Sequence, residues 1–132
     1  MWQLHKPWME KCKRVFNTIN SNLQLTTGIS ATRTMAMTSV TDVLTISGSV
    51  SQGTTAGGIV AGNATQTALG TLILTGSNSY TGTTTANSGI LNIRHGSALG
   101  TITGITSIIA GATLQIQGDI TTLAEPLTVR GT

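Results

Sequence analysis

The sequence predicts an all-β fold, a parallel β-solenoid in which short strands stack coil upon coil, and three observations carry that expectation. A triplet with apolar residues at its first and third positions recurs at Leu23-Gln24-Leu25, Leu44-Thr45-Ile46, Leu72-Ile73-Leu74, Leu91-Asn92-Ile93 and Leu114-Gln115-Ile116. Its spacing matches the period of roughly twenty residues that one circuit of two or three short strands with their turns needs. The intervals are rich in Gly, Asn and Ser, which favour turns, and the chain is rich in Thr, whose β-branched side chain suits a pleated surface.

From the N-terminus, residues 1 to about 20 differ from everything after them. Both Trp residues, the single Phe and four of the seven basic residues (Lys6, Lys11, Lys13, Arg14) lie there. No continuous apolar run follows the charges, so the segment does not read as a secretory signal. Trp8, Cys12, Val15, Phe16 and Ile19 fall at helical spacings, which predicts a short amphipathic helix after Pro7. The chain thus divides into an atypical basic and aromatic leader or cap over 1–20 and a solenoid over 21–132. Brief proteolysis is expected to remove the first and leave the second.

Within the solenoid, residues i and i+2 of a strand share a face. Leu72, Leu74, Leu91, Ile93, Leu114 and Ile116 are therefore expected to face one core, with Asn92 pointing to water. The step from Leu44 to Leu72, the longest in the series, contains Gly48, Gly53, Gly57, Gly58 and Gly62, and reads as one enlarged coil with a looped-out turn. Thr83 to Ala86 and Ile105 to Ile109 are candidates for strands on a second face. Leu127-Thr128-Val129 follows Leu114 too soon for a new coil, and belongs on another face of the same coil, with Pro126 at its entrance. Parallel stacking fits better than hairpins, because the triplets repeat in one sense with long connections.

Residues 70–100 carry the strongest repeat. The wording Leu72-x-Leu74-Thr75-Gly76-x-Asn78-x-Tyr80-Thr81-Gly82-x-Thr84-Thr85, then Gly89-x-Leu91 and Ala98-Leu99-Gly100, resembles the autotransporter-associated β-strand repeat of bacterial secreted passenger domains. Gly111 to Gly118, followed by Ala124-Glu125-Pro126-Leu127-Thr128-Val129, is similar to what often follows that repeat. The resemblance implies a right-handed parallel β-helix carried to the cell surface by a C-terminal outer-membrane barrel, and that barrel is expected in a longer parent protein.

Composition excludes several function classes. The net charge is +3, but beyond the leader Arg33, Arg94 and Arg130 are balanced by Asp42, Asp119 and Glu125. Tracking phosphates requires clustered cations, so nucleic acid is not an expected partner. Cys12 is the only cysteine and His5 its nearest histidine, which leaves no disulfide and reads as an incidental thiol. The carboxylates Glu10, Asp42, Asp119 and Glu125 are scattered; Asp119 and Glu125 approach one another at most across a turn, without a third group for glycan chemistry. Arg94-His95-Gly96 reads as a solvated turn. Calcium-binding rolls need repeated Asp, and Gly57-Gly58 lacks the Lys and helix start of a phosphate loop.

The expectation is therefore a non-catalytic segment with no catalytic, cofactor-binding or metal residues. It would serve as a stalk or adhesive surface of an exported, surface-localised passenger and support folding during export. Its partners would be neighbouring coils of the parent protein, the translocator barrel, a surface ligand, or other copies joined end to end through an uncovered last strand. The alternative is a Thr-rich solenoid that binds ice or carbohydrate, because Thr65-x-Thr67, Thr83-x-Thr85 and Thr101-x-Thr103 recur at even steps.

Overall fold

The computed structural model describes residues 16–25, 32–65 and 70–130. Five coils follow one another. The first carries β1 (Phe16–Ile19), β2 (Leu23–Leu25) and β3 (Arg33–Met35), and the second β4 (Val43–Ile46), β5 (Val50–Gln52) and β6 (Ile59–Ala61). The third has β7 (Thr71–Leu74) and β8 (Thr84–Ala86), the fourth β9 (Ile90–Ile93) and β10 (Thr106–Ile108), and the fifth β11 (Thr113–Ile116) and β12 (Leu127–Val129). Every ladder is parallel. The strands form one five-stranded sheet, β1-β4-β7-β9-β11, a second, β12-β10-β8-β6-β3, and a two-stranded third side, β2-β5. The chain is the parallel β-solenoid that its triplets predict.

Register explains why the triplets recur. On the first sheet Leu44, Leu72, Leu91 and Leu114 are consecutive partners, as are Ile46, Leu74, Ile93 and Ile116. Leu72, Leu74, Leu91 and Ile93 are fully buried, and each such side chain contributes about 1.5–3 kcal/mol relative to exposure. On the second sheet Ile59, Thr84 and Thr106 form one inward rank and Ala61, Ala86 and Ile108 the other. Both expected second-face strands, and the placing of Leu127-Thr128-Val129 beside β10, agree with this arrangement.

Three expectations are corrected. Leu23-Gln24-Leu25 does not begin the rank of Leu44; it is β2 and pairs with Val50–Gln52 on the third side. The strand below Leu44 is instead Phe16–Ile19, where Asn17 stands in the place of Leu. Phe16 and Ile19 accordingly lie in a strand rather than in a helix, and the solenoid starts inside the segment expected to precede it. The cause is non-local: the free edge of β4 offers a parallel ladder, and the β-branched Thr18 and Ile19 suit it. Trp8, Cys12 and Val15 lie outside the described residues. Finally, Asn92 does point outward but is buried, because side chains of its own and the next coil close over it.

The 43–70 stretch is one circuit, as expected, but not an exceptional one: the first coil, from Phe16 to Val43, is nearly as long, and both carry a third-side strand. Residues 62–70 join β6 to β7, whereas only 87–89 join β8 to β9. Glycine is required where coils approach most closely. A Cβ on Gly82 would sit well inside contact distance of the Gly57 carbonyl and of the Gly58 nitrogen, which are backbone atoms that cannot rotate away. Gly82→Ala is expected to cost about 1–3 kcal/mol, measured by chemical denaturation. Gly53→Ala is the control, since its nearest neighbour is the Leu25 carbonyl at 3.9 Å and its cost should be within a few tenths of a kcal/mol.

Candidate functional site

Among the described residues a line of buried polar side chains, with Asn78, Thr84 and Thr106 as members, runs through the inside of the solenoid. Asn78 leaves the end of β7 on the third side, where no strand follows β5. Its side chain replaces the missing ladder. The Val50 N–H donates to Asn78 Oδ1 at 2.8 Å, and Asn78 Nδ2 donates to the Ala98 carbonyl at 2.6 Å, so one amide ties the second, third and fourth coils together. Its own N–H donates to the Ser97 carbonyl at 3.1 Å. One coil lower, Gln52 plays a similar part, and its Oε1 accepts from the Gly57 and Thr81 N–H groups.

Tyr80 follows, fully buried. Its hydroxyl lies 2.6 Å from Thr84 Oγ1, and Thr84 Oγ1 donates to the Leu99 carbonyl at 3.3 Å. Thr84 has one proton to give, so Tyr80 is the donor in their shared bond. Burial raises the Tyr80 phenol far above its ordinary value; the bond to Thr84 opposes this and the charge of Glu125 adds to it. Thr106 stacks directly on Thr84 and donates to Glu125 Oε1 in a short bond. Among the described residues no buried side-chain polar atom is without a partner.

Glu125 stands at the end of this polar line, half-buried, beside a cavity of about 90 Å³ lined by Ile93, Leu114, Ile116, Leu123 and Leu127. Burial pushes its carboxyl above the usual glutamate range, and the Thr106 bond opposes the shift. A raised folded value means that the folded chain retains a proton which the unfolded chain has already released. Stability from this group is therefore full below the ordinary glutamate range and falls as pH rises through the folded value. Glu125→Gln keeps an acceptor for Thr106 and cannot ionise. Its thermal midpoint should lose that fall across weakly acidic pH, and identical slopes in both chains would count against the assignment.

The other candidate residues make local hydrogen bonds. Asp42 Oδ2 accepts from the Thr38 N–H at 3.1 Å and the Ser39 N–H at 3.0 Å, closing the turn before β4. His95 Nδ1 accepts from the Ser97 N–H at 3.0 Å, and Arg94 Nε donates to Asn92 Oδ1 at 3.0 Å, so this pair braces a turn and covers Asn92. Glu125 bonds to Thr106, and no hydrogen bond joins it to Asp119 among the described residues. No group of three potential metal-ligating side chains occurs among those residues. His5, Glu10, Cys12 and Thr67 lie outside them.

Among the described residues the Thr-x-Thr motifs do not stack on one another as the alternative reading requires. Thr84 and Thr106 are partners, a longer step than the one that separates the Thr-x-Thr motifs, so Thr83 stacks beneath Ile105 and Thr85 beneath Ser107. Thr101 lies over Tyr80 instead, its N–H donating to the Tyr80 carbonyl, and Thr101 and Thr103 bond to one another within a turn. The even recurrence is out of register with the coils. Sequence reading places Asn78 and Tyr80 only in the interval between two triplets and misses them as internal staples; a lone Tyr in a chain with 3% aromatic residues was the available signal.

No family model matches the chain, and comparison with curated proteins and with solved structures likewise finds no match.

Proposed function

We propose that this chain is a passive rod segment of an exported, autotransporter-like surface protein. It holds other parts of a longer parent away from the cell, or offers a weakly adhesive flank, and performs no chemistry itself. The observation that carries this reading is the interior: the polar side chains that a reaction would use are bonded to the backbones and hydroxyls of neighbouring coils. The wording of residues 70–100 adds the export context. Each finished coil presents an edge on which the next can form, so such a segment can fold progressively as it emerges from a pore.

The alternative as an ice- or carbohydrate-binding surface has less support. Its threonines are out of register, and the aromatic side chain best suited to stack on a sugar, Tyr80, is buried. The chain should produce no thermal hysteresis and no hydrolysis of polysaccharides.

The deciding experiment places the chain between a secretory signal and a translocator barrel in a Gram-negative host. External protease should reach it on intact cells, and a variant unable to fold should lower the amount displayed. Retention in the periplasm, or display indifferent to folding, would sink the proposal.

A further inference from the structure

We infer that Asn63 is an acceptor for an N-linked sugar, taken from a glycosyl diphosphate. Asn63-Ala64-Thr65 is an Asn-x-Thr sequence whose middle residue is not Pro, the pattern that marks such acceptors. The chain has seven asparagines, and only this one has Ser or Thr two positions on; Asn17, Asn20, Asn22, Asn78, Asn87 and Asn92 are followed there by Ile19, Asn22, Gln24, Tyr80, Gly89 and Arg94. In a Thr-rich chain such a triplet can arise by chance, and its local geometry is what carries the inference.

The triplet sits where a transferase can reach it. β6 ends at Ala61, and Gly62 turns the chain out of the sheet at a φ of 79°, a conformation that favours glycine. The Gly62 N–H donates to the Met35 carbonyl at 3.0 Å and the Asn63 N–H to Ser88 Oγ at 3.2 Å, so neighbouring coils hold the turn in place. Asn63, Ala64 and Thr65 are all exposed and belong to no strand, whereas Asn78 and Asn92 are buried. A sugar on this corner displaces no core residue and interrupts no ladder.

The side chain is held by its oxygen. The Thr65 N–H donates to Asn63 Oδ1 at 3.1 Å, and Thr65 Oγ1 donates to the same atom at 3.0 Å. A backbone N–H can only donate, so the amide atom facing it is the oxygen, and Nδ2 is left for reaction. Among the described residues no hydrogen bond engages Nδ2. In the transfer, Nδ2 bonds to C1 of the sugar and the bond from C1 to the diphosphate oxygen breaks. The diphosphate leaves with the electron pair, and one Nδ2 proton passes to a base of the transferase. The donor carries its sugar on a nucleoside diphosphate or on a lipid diphosphate. The inference rests on the turn at 62–65 alone and is independent of the export proposal.

The test incubates the folded whole chain with two transferases specific for Asn-x-Ser/Thr, one using a nucleotide-activated hexose and the other a lipid diphosphate-linked oligosaccharide. A peptide containing Asn-Ala-Thr establishes that each is active. Intact mass and peptide mapping should find one glycan, on Asn63, in at least one arm, and the arm that succeeds names the donor. Asn63→Gln and Thr65→Ala should lose the modification entirely, and Thr65→Ser should keep it. Circular dichroism and thermal midpoints should match the parent chain in all three, since the substituted residues are exposed and outside the strands. A chain left unmodified in both arms while the peptide is modified, a glycan on another residue in place of Asn63, or a folded Thr65→Ala chain modified as fast as the parent would overturn the inference.

Discussion

Leu91→Asp is expected to abolish the cooperative fold at about 25 °C, the temperature to which the stabilities below refer. Leu91 is fully buried between Leu72 below and Leu114 above. The substitution removes a core side chain, which alone costs about 2–5 kcal/mol, and places an ionised carboxylate where no cation faces it, which costs more. Total stabilities of domains are only about 5–15 kcal/mol. The same change at Ile116, one coil on from Ile93 on the same face but 56% exposed, should cost little. Denaturant titrations of the two variants separate burial from residue type. Equal effects would show that the coils do not share a continuous core.

Asn92→Asp falls between these. It strengthens the contact from Arg94 Nε but loses two donations, to Gln115 Oε1 at 3.0 Å and Gln117 Oε1 at 3.3 Å. A net loss of about 1 kcal/mol is expected. Period-two reasoning places Asn92 correctly on the outer face and still misjudges its environment. In a solenoid the outer face of one coil is roofed by long side chains of the next, and those neighbours lie a whole circuit away in sequence, beyond the reach of any local pattern.

The same limit explains the rest of what the sequence did and did not disclose. The recurring apolar pair makes the fold class legible, because repeats in one sense with long connections let short strands bury it by stacking equivalent positions coil upon coil. It does not say which face a triplet occupies. Leu23-Gln24-Leu25 reads like its four counterparts, and its chance spacing from Leu44, close to one circuit, conceals its place on the third side. The true first strand, Phe16–Ile19, carries Asn17 at the decisive position and so escapes the pattern. The threonine recurrence fails for the complementary reason: connections vary in length from coil to coil, so a fixed sequence step does not remain a fixed spatial register.

Asn78 offers the sharpest test of the internal polar scaffold, since its side chain stands in for backbone. Asn78→Ala should orphan the Val50 N–H and the Ala98 carbonyl, both of which bond to that amide. Each unsatisfied buried group costs about 1–3 kcal/mol, so a loss of roughly 3–5 kcal/mol is expected, with the break felt between the second and fourth coils. Asn78→Asp distinguishes hydrogen bonding from packing. The shape is kept and the acceptor for Val50 remains, but the donor 2.6 Å from the Ala98 carbonyl becomes an anionic oxygen. Burial and the facing carbonyl both favour the protonated acid, raising its folded value above the unfolded one. The sign follows: the folded variant binds a proton more readily than the unfolded chain, so its stability is greatest below the ordinary aspartate range and falls as pH rises through the folded value. Protonated, the acid can donate to Ala98 as the amide does. Acidification should therefore bring the variant's thermal midpoint back toward that of the parent chain, and a difference between the two that does not change with pH would show that Asn78 acts by filling space alone.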